Sequence, residues 1–363
     1  MAGAEKSLST RLRRAPTRYQ PTRRLAVGGM AEVWCGDALF EDGDRHPVAI
    51  KRVLPHLALE PIYKSMFQDE ARLGMALSHT NIVRVYDARE VGGTFIMIME
   101  MVDGTSLKDL LDNAHQRSAP MPVPAALHIG LQLARALSYA HAATDKGRPL
   151  NVVHRDVSPH NLLLSRAGQV KLADFGLADA DVQGTQLGDG MLGGKLGYLA
   201  PEIIHQQPND HQVDIFALGI VLWEMLAGRR LFHRPNDAAT VQAVAACEVP
   251  PVAGLNKGVT RGVASLLDDL LAPQPMDRLH SAGQAVKRLE ALIDEIDRDV
   301  GYRDVALLVG LHLASVTAPA PTVPKALTEL LAQELDAFAT AAAGSTTSMG
   351  AQPLDPDAFL TGH

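Results

Sequence analysis

Cysteine is nearly absent from this sequence of 363 residues: Cys35 and Cys247 are the only two. They stand far apart, so neither a disulfide framework nor a cysteine-rich zinc site can be built from them, and a reducing, cytoplasmic setting is expected. Long apolar runs are lacking as well. Val305 to Leu313, one apolar run, falls far short of the ~20 residues that span a bilayer and is broken by Gly310 and His312; no membrane insertion is expected. The basic residues Lys6, Arg11, Arg13, Arg14 and Arg18 have no apolar stretch behind them, which argues against a secretory signal. Nor do basic and aromatic residues alternate there as on a nucleic-acid-binding surface, and no nucleic-acid partner is expected.

What the chain has is ordinary globular composition, with 47% apolar and 21% charged residues, 30 Gly and 22 Pro. This excludes a collagen-like or wholly disordered protein, and the length suggests about two domains. Charge is uneven. Residues 1–24 carry seven bases and one acid, a balance of +6, whereas residues 294–363 carry ten acids and three bases, a balance of -7. Residues 1–18 are expected to be a flexible basic arm.

From Tyr19 to about Gly104 the pattern favours strands, with Val48–Ile50 and Phe95–Met99 as short apolar runs. One helix is expected inside this sheet, over Pro61–Leu77, where Phe67, Glu70, Leu73 and Leu77 recur at three- or four-residue steps and share a face. After Gly104 the period becomes helical, over Leu107–Leu111, Ala125–Ala143, Val213–Ala227, Val263–Leu271 and Ala282–Ile296. Leu162–Leu164 and Val170–Leu172 flank a Ser-Arg-Ala-Gly turn and read as a hairpin. Beyond 297 the chain becomes a Pro/Ala-rich acidic tail, in which Leu327, Leu330, Leu331, Leu335 and Phe338 form an amphipathic stripe. That stripe either packs back on the domain or binds a partner protein.

The chemistry is carried by an ordered set of short motifs. Val48-Ala49-Ile50-Lys51 stands on an expected strand and Glu70 on the following helix. His154-Arg155-Asp156 comes next, with Asn161 after four intervening residues, then Asp174-Phe175-Gly176 and Ala200-Pro201-Glu202. Each alone is weak, because a lone Lys–Glu pair is usually a surface ion pair and a lone Asp-Phe-Gly a turn. In this order they make residues 19–296 resemble the eukaryotic-like serine/threonine protein kinases of bacteria.

The resemblance implies an α+β, two-lobed fold, with a small β-rich lobe over about 19–103, a larger helical lobe over about 104–296, and ATP in the cleft. It implies transfer of the γ-phosphoryl group to serine or threonine hydroxyls of protein substrates, a reaction that needs positioning and positive charge more than covalent chemistry. Lys51 is expected to clamp phosphates and Glu70 to hold its ammonium. Asn161 and Asp174 offer hard oxygen ligands for Mg2+, and Asp156 accepts the hydroxyl proton. Val27, Gly28 and Gly29 would form the nucleotide loop, Val33 and Ala49 the roof over adenine, Met99 the back of its pocket, and Glu100 and Val102 the hinge. Asp214 and the Glu202–Arg278 pair are expected to be scaffold. Arg155 is expected to meet a phosphate on the activation segment, for which Thr185 is the candidate, being the one hydroxyl between Leu177 and Gly197.

Five positions depart from the family pattern. Ala26 and Ala31 replace outer glycines of the nucleotide loop, so a stiffer loop is expected. Gly74 replaces a large residue, so looser packing of the Glu70 helix is expected. Ser158 stands where the family has Lys, and Lys195 where it has Thr. These last two read as an exchange, in which Lys195 supplies the missing charge from the opposite backbone. A pseudokinase that binds nucleotide or scaffolds is the alternative reading, set against the retention of Lys51, Glu70, Asp156, Asn161 and Asp174.

Overall fold

The computed structural model describes residues 16–116, 119–175, 195–316 and 324–344. The strands are β1 (Arg18–Val27), β2 (Ala31–Leu39), β3 (Arg45–Val53), β4 (Val85–Val91), β5 (Thr94–Glu100), β6 (Gly104–Ser106), β7 (Thr144–Asp145), β8 (Arg148–Pro149), β9 (Leu162–Ser165) and β10 (Val170–Leu172). The helices are α1 (Pro61–Ala76), α2 (Leu107–Gln116), α3 (Val123–His141), α4 (Pro201–Ile204), α5 (Gln212–Ala227), α6 (Asp237–Ala246), α7 (Arg261–Leu270), α8 (Ala282–Ile296), α9 (Tyr302–Ser315) and α10 (Lys325–Gly344). They divide into two compact units.

The first unit is built on an antiparallel sheet of order β1-β2-β3-β5-β4. Successive side chains of a strand point to opposite faces, and both faces here are covered. On one, Phe67 of α1 meets Phe95 of β5, with ring centroids 5.7 Å apart. On the other, Trp34, Ile50, Ile96 and Ile98 form a core cluster with Leu331, Leu335 and Phe338 of α10. Pro61 begins α1, a position where its missing N–H removes nothing.

Gly74 does not loosen this helix. A Cβ there would lie 2.3 Å from the Val85 side chain, so the glycine lets α1 approach β4 more closely than any larger residue would.

In the second unit every residue of α5 is buried, which makes it the central helix of that unit. It ends at Gly228, in the left-handed region at φ 64° with its N–H on the Glu224 carbonyl, a conformation that glycine adopts without strain. Asn236, Thr260 and Ser281 cap α6, α7 and α8 by accepting a backbone N–H. The hairpin β9–β10 joins β6 in a three-stranded sheet.

The expected tail over 297–363 is not a separate region among the described residues. Helix α9 belongs to the helical unit, where Val305 and Val309 are buried, and α10 belongs to the sheet unit. Of the two readings of the apolar stripe, packing back is the one the structure takes, since Leu331, Leu335 and Phe338 are fully buried against the chain's own strands. Residues 1–15 of the expected arm lie outside the described residues.

Candidate active site

In the sheet unit, β3 carries Lys51 in the period-two alternation that also carries Ala49, and the register pairs Lys51 with Val33 and Ala49 with Met99. Val33, Ala49, Lys51 and Met99 therefore share one face. On that face the Lys51 ammonium donates to Glu70 Oε1 at 2.6 Å, and both side chains are buried. Desolvating an ion pair is unfavourable unless its geometry is good, and burial of both partners makes the pair a fixture of the unit.

Between β1 and β2 the chain turns through Val27, Gly28 and Gly29, with the Gly28 N–H on the Ala31 carbonyl at 2.8 Å. No residue of this turn has positive φ, so Ala26 and Ala31 stand there without backbone strain. A Cβ on Gly29 would meet nothing within 4 Å, leaving the backbone open to a ligand. Glu100 ends β5, where its carboxylate accepts the Arg84 N–H at 3.2 Å, and Val102 belongs to the other unit.

In the helical unit Asp214, fully buried on α5, is the organising residue. Its carboxylate accepts the backbone N–H groups of His154 and Arg155 and the ring of His141, each at 2.8 Å. Burial acts to raise its pKa, but the His141 bond and charge and the His154 N–H outweigh it, so the group is held below its ordinary value. An anion anchored this way bends the chain back on itself: Arg155 has φ 59°, a strained conformation for a non-glycine residue. Asp174, at φ 60°, is a second such position. His154 ties the two strained positions together. Its Nδ1 accepts the Asp156 N–H, its Nε2 donates to the Ala173 carbonyl at 3.0 Å, and its ring meets Phe175 edge-on at 4.5 Å.

Asp156 is brought together with Asn161 and Lys195. Asn161 Nδ2 donates to Asp156 Oδ2 at 2.8 Å and to its carbonyl at 2.9 Å, and the Lys195 ammonium donates to the same Oδ2 at 2.5 Å. Among the described residues this leaves Asp156 Oδ1 to accept a further proton. With its amide N–H groups turned to Asp156, Asn161 presents its oxygen elsewhere, and its backbone carbonyl accepts the Ala173 N–H, one residue before Asp174. An amide oxygen and a carboxylate suit a hard divalent cation that takes its remaining ligands from phosphate and water. No group of three or more His, Cys, Asp or Glu side chains that could hold a metal occurs among the described residues.

Ser158 is fully buried with its hydroxyl unpartnered among the described residues, so it does not take over the hydrogen bonds expected of a threonine. Glu202 and Arg278 form a buried bidentate pair at 2.6 and 2.8 Å, with the guanidinium 4.6 Å above the Phe216 ring. Thr185 and Gly176 lie outside the described residues.

Sequence reasoning missed a polar network beside Tyr198. The Tyr198 hydroxyl donates to Glu224 Oε2 at 2.7 Å and accepts from Arg230, which also reaches Asp112 at 2.9 Å. Glu224 sits within an apolar helix and Arg230 after its end, and nothing in their spacing announces a partner.

The family model for the protein kinase domain matches residues 19–289. A tyrosine-protein kinase of Myxococcus xanthus, MasK, is 38% identical over 278 residues, covering 76% of this chain and 43% of that protein. The probable serine/threonine-protein kinase pknA2 of Bifidobacterium longum is 33% identical, covering 84% and 39%. The serine/threonine-protein kinase PrkC of Bacillus subtilis is 31% identical, covering 74% and 40%. The chain thus spans about two fifths of the length of these curated relatives. With the motifs in order and matched over most of its length, the chain belongs to the protein kinase domain family.

Proposed function

We propose that the protein is an ATP-dependent serine/threonine protein kinase that uses Mg2+ and acts on protein hydroxyls. The observation that supports this most directly is the Asp156 carboxylate, whose Oδ2 is engaged by Asn161 and Lys195 while Oδ1 stays available. Oδ1 is then the base that takes the acceptor hydroxyl's proton as the acceptor oxygen bonds to the γ-phosphorus and the bond to the leaving ADP oxygen breaks. Lys51, fixed by Glu70, holds phosphate oxygens. Asn161 and Asp174 hold the divalent ion, which when bound neutralises charge on the phosphates. Lys195 adds a second cation on the Asp156 side. Val27, Gly28, Gly29, Val33, Ala49, Met99, Glu100 and Val102 are the proposed nucleotide contacts. Thr185 is the proposed phosphorylation site, its phosphate paired with Arg155.

The name of the Myxococcus relative favours a second reading, transfer to tyrosine. Phosphoamino-acid analysis after incubation with radioactive ATP separates the two. Phosphoserine or phosphothreonine is expected, and phosphotyrosine alone would overturn the acceptor assignment. Asp156→Asn is expected to lower the transfer rate by on the order of 10³ with an unchanged melting temperature. Undiminished transfer by that variant would defeat the proposed mechanism, and a wild-type protein that binds ATP without transferring phosphate would be a pseudokinase.

A further inference from the structure

The face of the sheet opposite Lys51 carries a second buried cation. Arg52, the next residue of β3, is 1% exposed. It donates to Glu334 of α10 through two nitrogens, at 2.6 and 2.5 Å, and to Glu32 of β2 at 3.1 Å. Glu32 is paired in register with Arg52, as its neighbour Val33 is with Lys51. Each strand thus puts a nucleotide-facing residue on one face and a member of this network on the other. Past the end of β3, the Leu54 N–H bonds to the Met30 carbonyl at 2.9 Å, which ties the strand to the nucleotide loop.

We propose that Glu334 and Arg52 are positioning residues for the nucleotide-binding face, with α10 clamping β2 and β3 from behind so that Lys51, Ala49 and Val33 keep their places. This rests on the proposed kinase reading of that face. Glu70 fixes the end of the Lys51 side chain, but the position of its Cα is set by the strand, and the strand is held by what anchors Arg52. A guanidinium this deeply buried must keep its carboxylates or draw in water. Without Glu334 it retains Glu32 alone, and the middle of β3 is freed to shift. The bidentate fork is directional, so α10 fixes where Arg52 lies and does more than cover apolar surface. Asp336 reinforces the docking through Arg18 of β1 at 2.9 Å.

The test uses the full chain. Glu334→Gln is expected to raise both the KM for ATP and the dissociation constant of a fluorescent ATP analogue on the order of tenfold, the effect of losing a charge-assisted hydrogen bond. The value of kcat should barely change, and amide exchange over residues 31–53 should quicken. Glu334→Asp should recover much of the loss, and Glu329→Gln, on an exposed part of the same helix, should behave as wild type. Phe338→Leu separates packing from the ion pair, and should lower the melting temperature with the ATP constants unchanged. The proposal is overturned if Glu334→Gln lowers only the melting temperature, or if Phe338→Leu weakens ATP as much as Glu334→Gln does. Because nucleotide binding and exchange are read without phosphoryl transfer, an inactive wild-type protein would count against the kinase reading and leave this inference to its own outcome.

Discussion

Asp156 Oδ2 receives two donors, and Lys195 is the one that brings charge. The sequence pointed to Lys195 only through its departure from a family pattern, for a lysine in a glycine-rich loop is ordinarily solvated. The structure puts its ammonium on the proposed base, yet gives the other half of the exchange nothing to bond. Ser158 is buried with its hydroxyl unsatisfied among the described residues, so the charge of Lys195 is left to act without the hydrogen bonds the swap implied. Lys195→Ala is expected to lower kcat by on the order of 10²–10³, the usual effect of removing one cation from a developing phosphate charge. Steady-state rates at saturating ATP check this, and an unchanged kcat would remove Lys195 from the mechanism. Ser158→Lys combined with Lys195→Thr should recover activity over Lys195→Thr alone. His154 shows what motif reading leaves out. The triplet was legible, but the three contacts that make its histidine a strut between Asp156, Ala173 and Phe175 depend on two loops meeting in space.

Helices α1, α3, α5, α7 and α8 were legible within a few residues, and so was the β9–β10 hairpin, because each repeats apolar residues at its own period. Helix α6 was not. It is alanine-rich and buries only Thr240 and Val244, so its stripe is too thin to read. Helix α9 looked like a short apolar run for a different reason. Its leucines lie all round the helix, with Leu307 and Leu311 exposed, and no polar face marks the period.

Element packing gives two further expectations. Gly74→Ala should destabilise the protein by roughly 1–3 kcal/mol through overpacking against Val85. Adding Val85→Ala should return part of that, and thermal melts of the single and double variants would show the coupling; additive losses would mean that the α1–β4 contact is not tight. On α5, burial pushes the Glu224 carboxyl up from 4.5 to about 7, against the lowering pull of Arg230 and the bonds from Tyr198 and Leu231. Between those values the folded state keeps a proton that the unfolded chain has lost. Stability contributed by this group is therefore present below pH 4.5, falls as pH rises to 7, and is flat above. The difference in urea stability between wild type and Glu224→Gln should change across that window by up to about 3 kcal/mol. A pH-independent difference would show that Glu224 titrates normally.

At the scale of the whole molecule, the sequence indicated a sheet-rich part followed by a helical part but not where the last helix goes. An amphipathic stripe states that α10 must cover something apolar; which surface it covers is decided by shape and by Arg18 and Arg52, whose partners lie some three hundred positions away.

The response of the whole chain to ligand follows from its separate donor sets. On the proposed reading Lys51 binds phosphate and needs no metal, whereas Asn161 and Asp174 supply oxygen to a divalent ion. Any ligand bound only by the folded protein stabilises it by mass action, by about 2.7 kcal/mol at a concentration one hundred times its dissociation constant. ATP with Mg2+ should accordingly raise the melting temperature by several degrees, ATP with a chelator by less, and Mg2+ alone by little, since two protein oxygens make only part of an octahedral shell. Asp174→Ala should erase the difference between ATP with and without Mg2+ while keeping the metal-free shift. Lys51→Met should reduce both, measured against the variant's own unliganded melt because the buried Lys51–Glu70 ion pair is lost. Mn2+ should substitute for Mg2+, being accommodated by oxygen donors, and Zn2+ poorly, since it favours nitrogen and sulfur. If Asp174→Ala keeps the full Mg2+-dependent increment, the metal is held by the phosphates alone, and Asp174 must be assigned to shaping the strained turn at its own backbone.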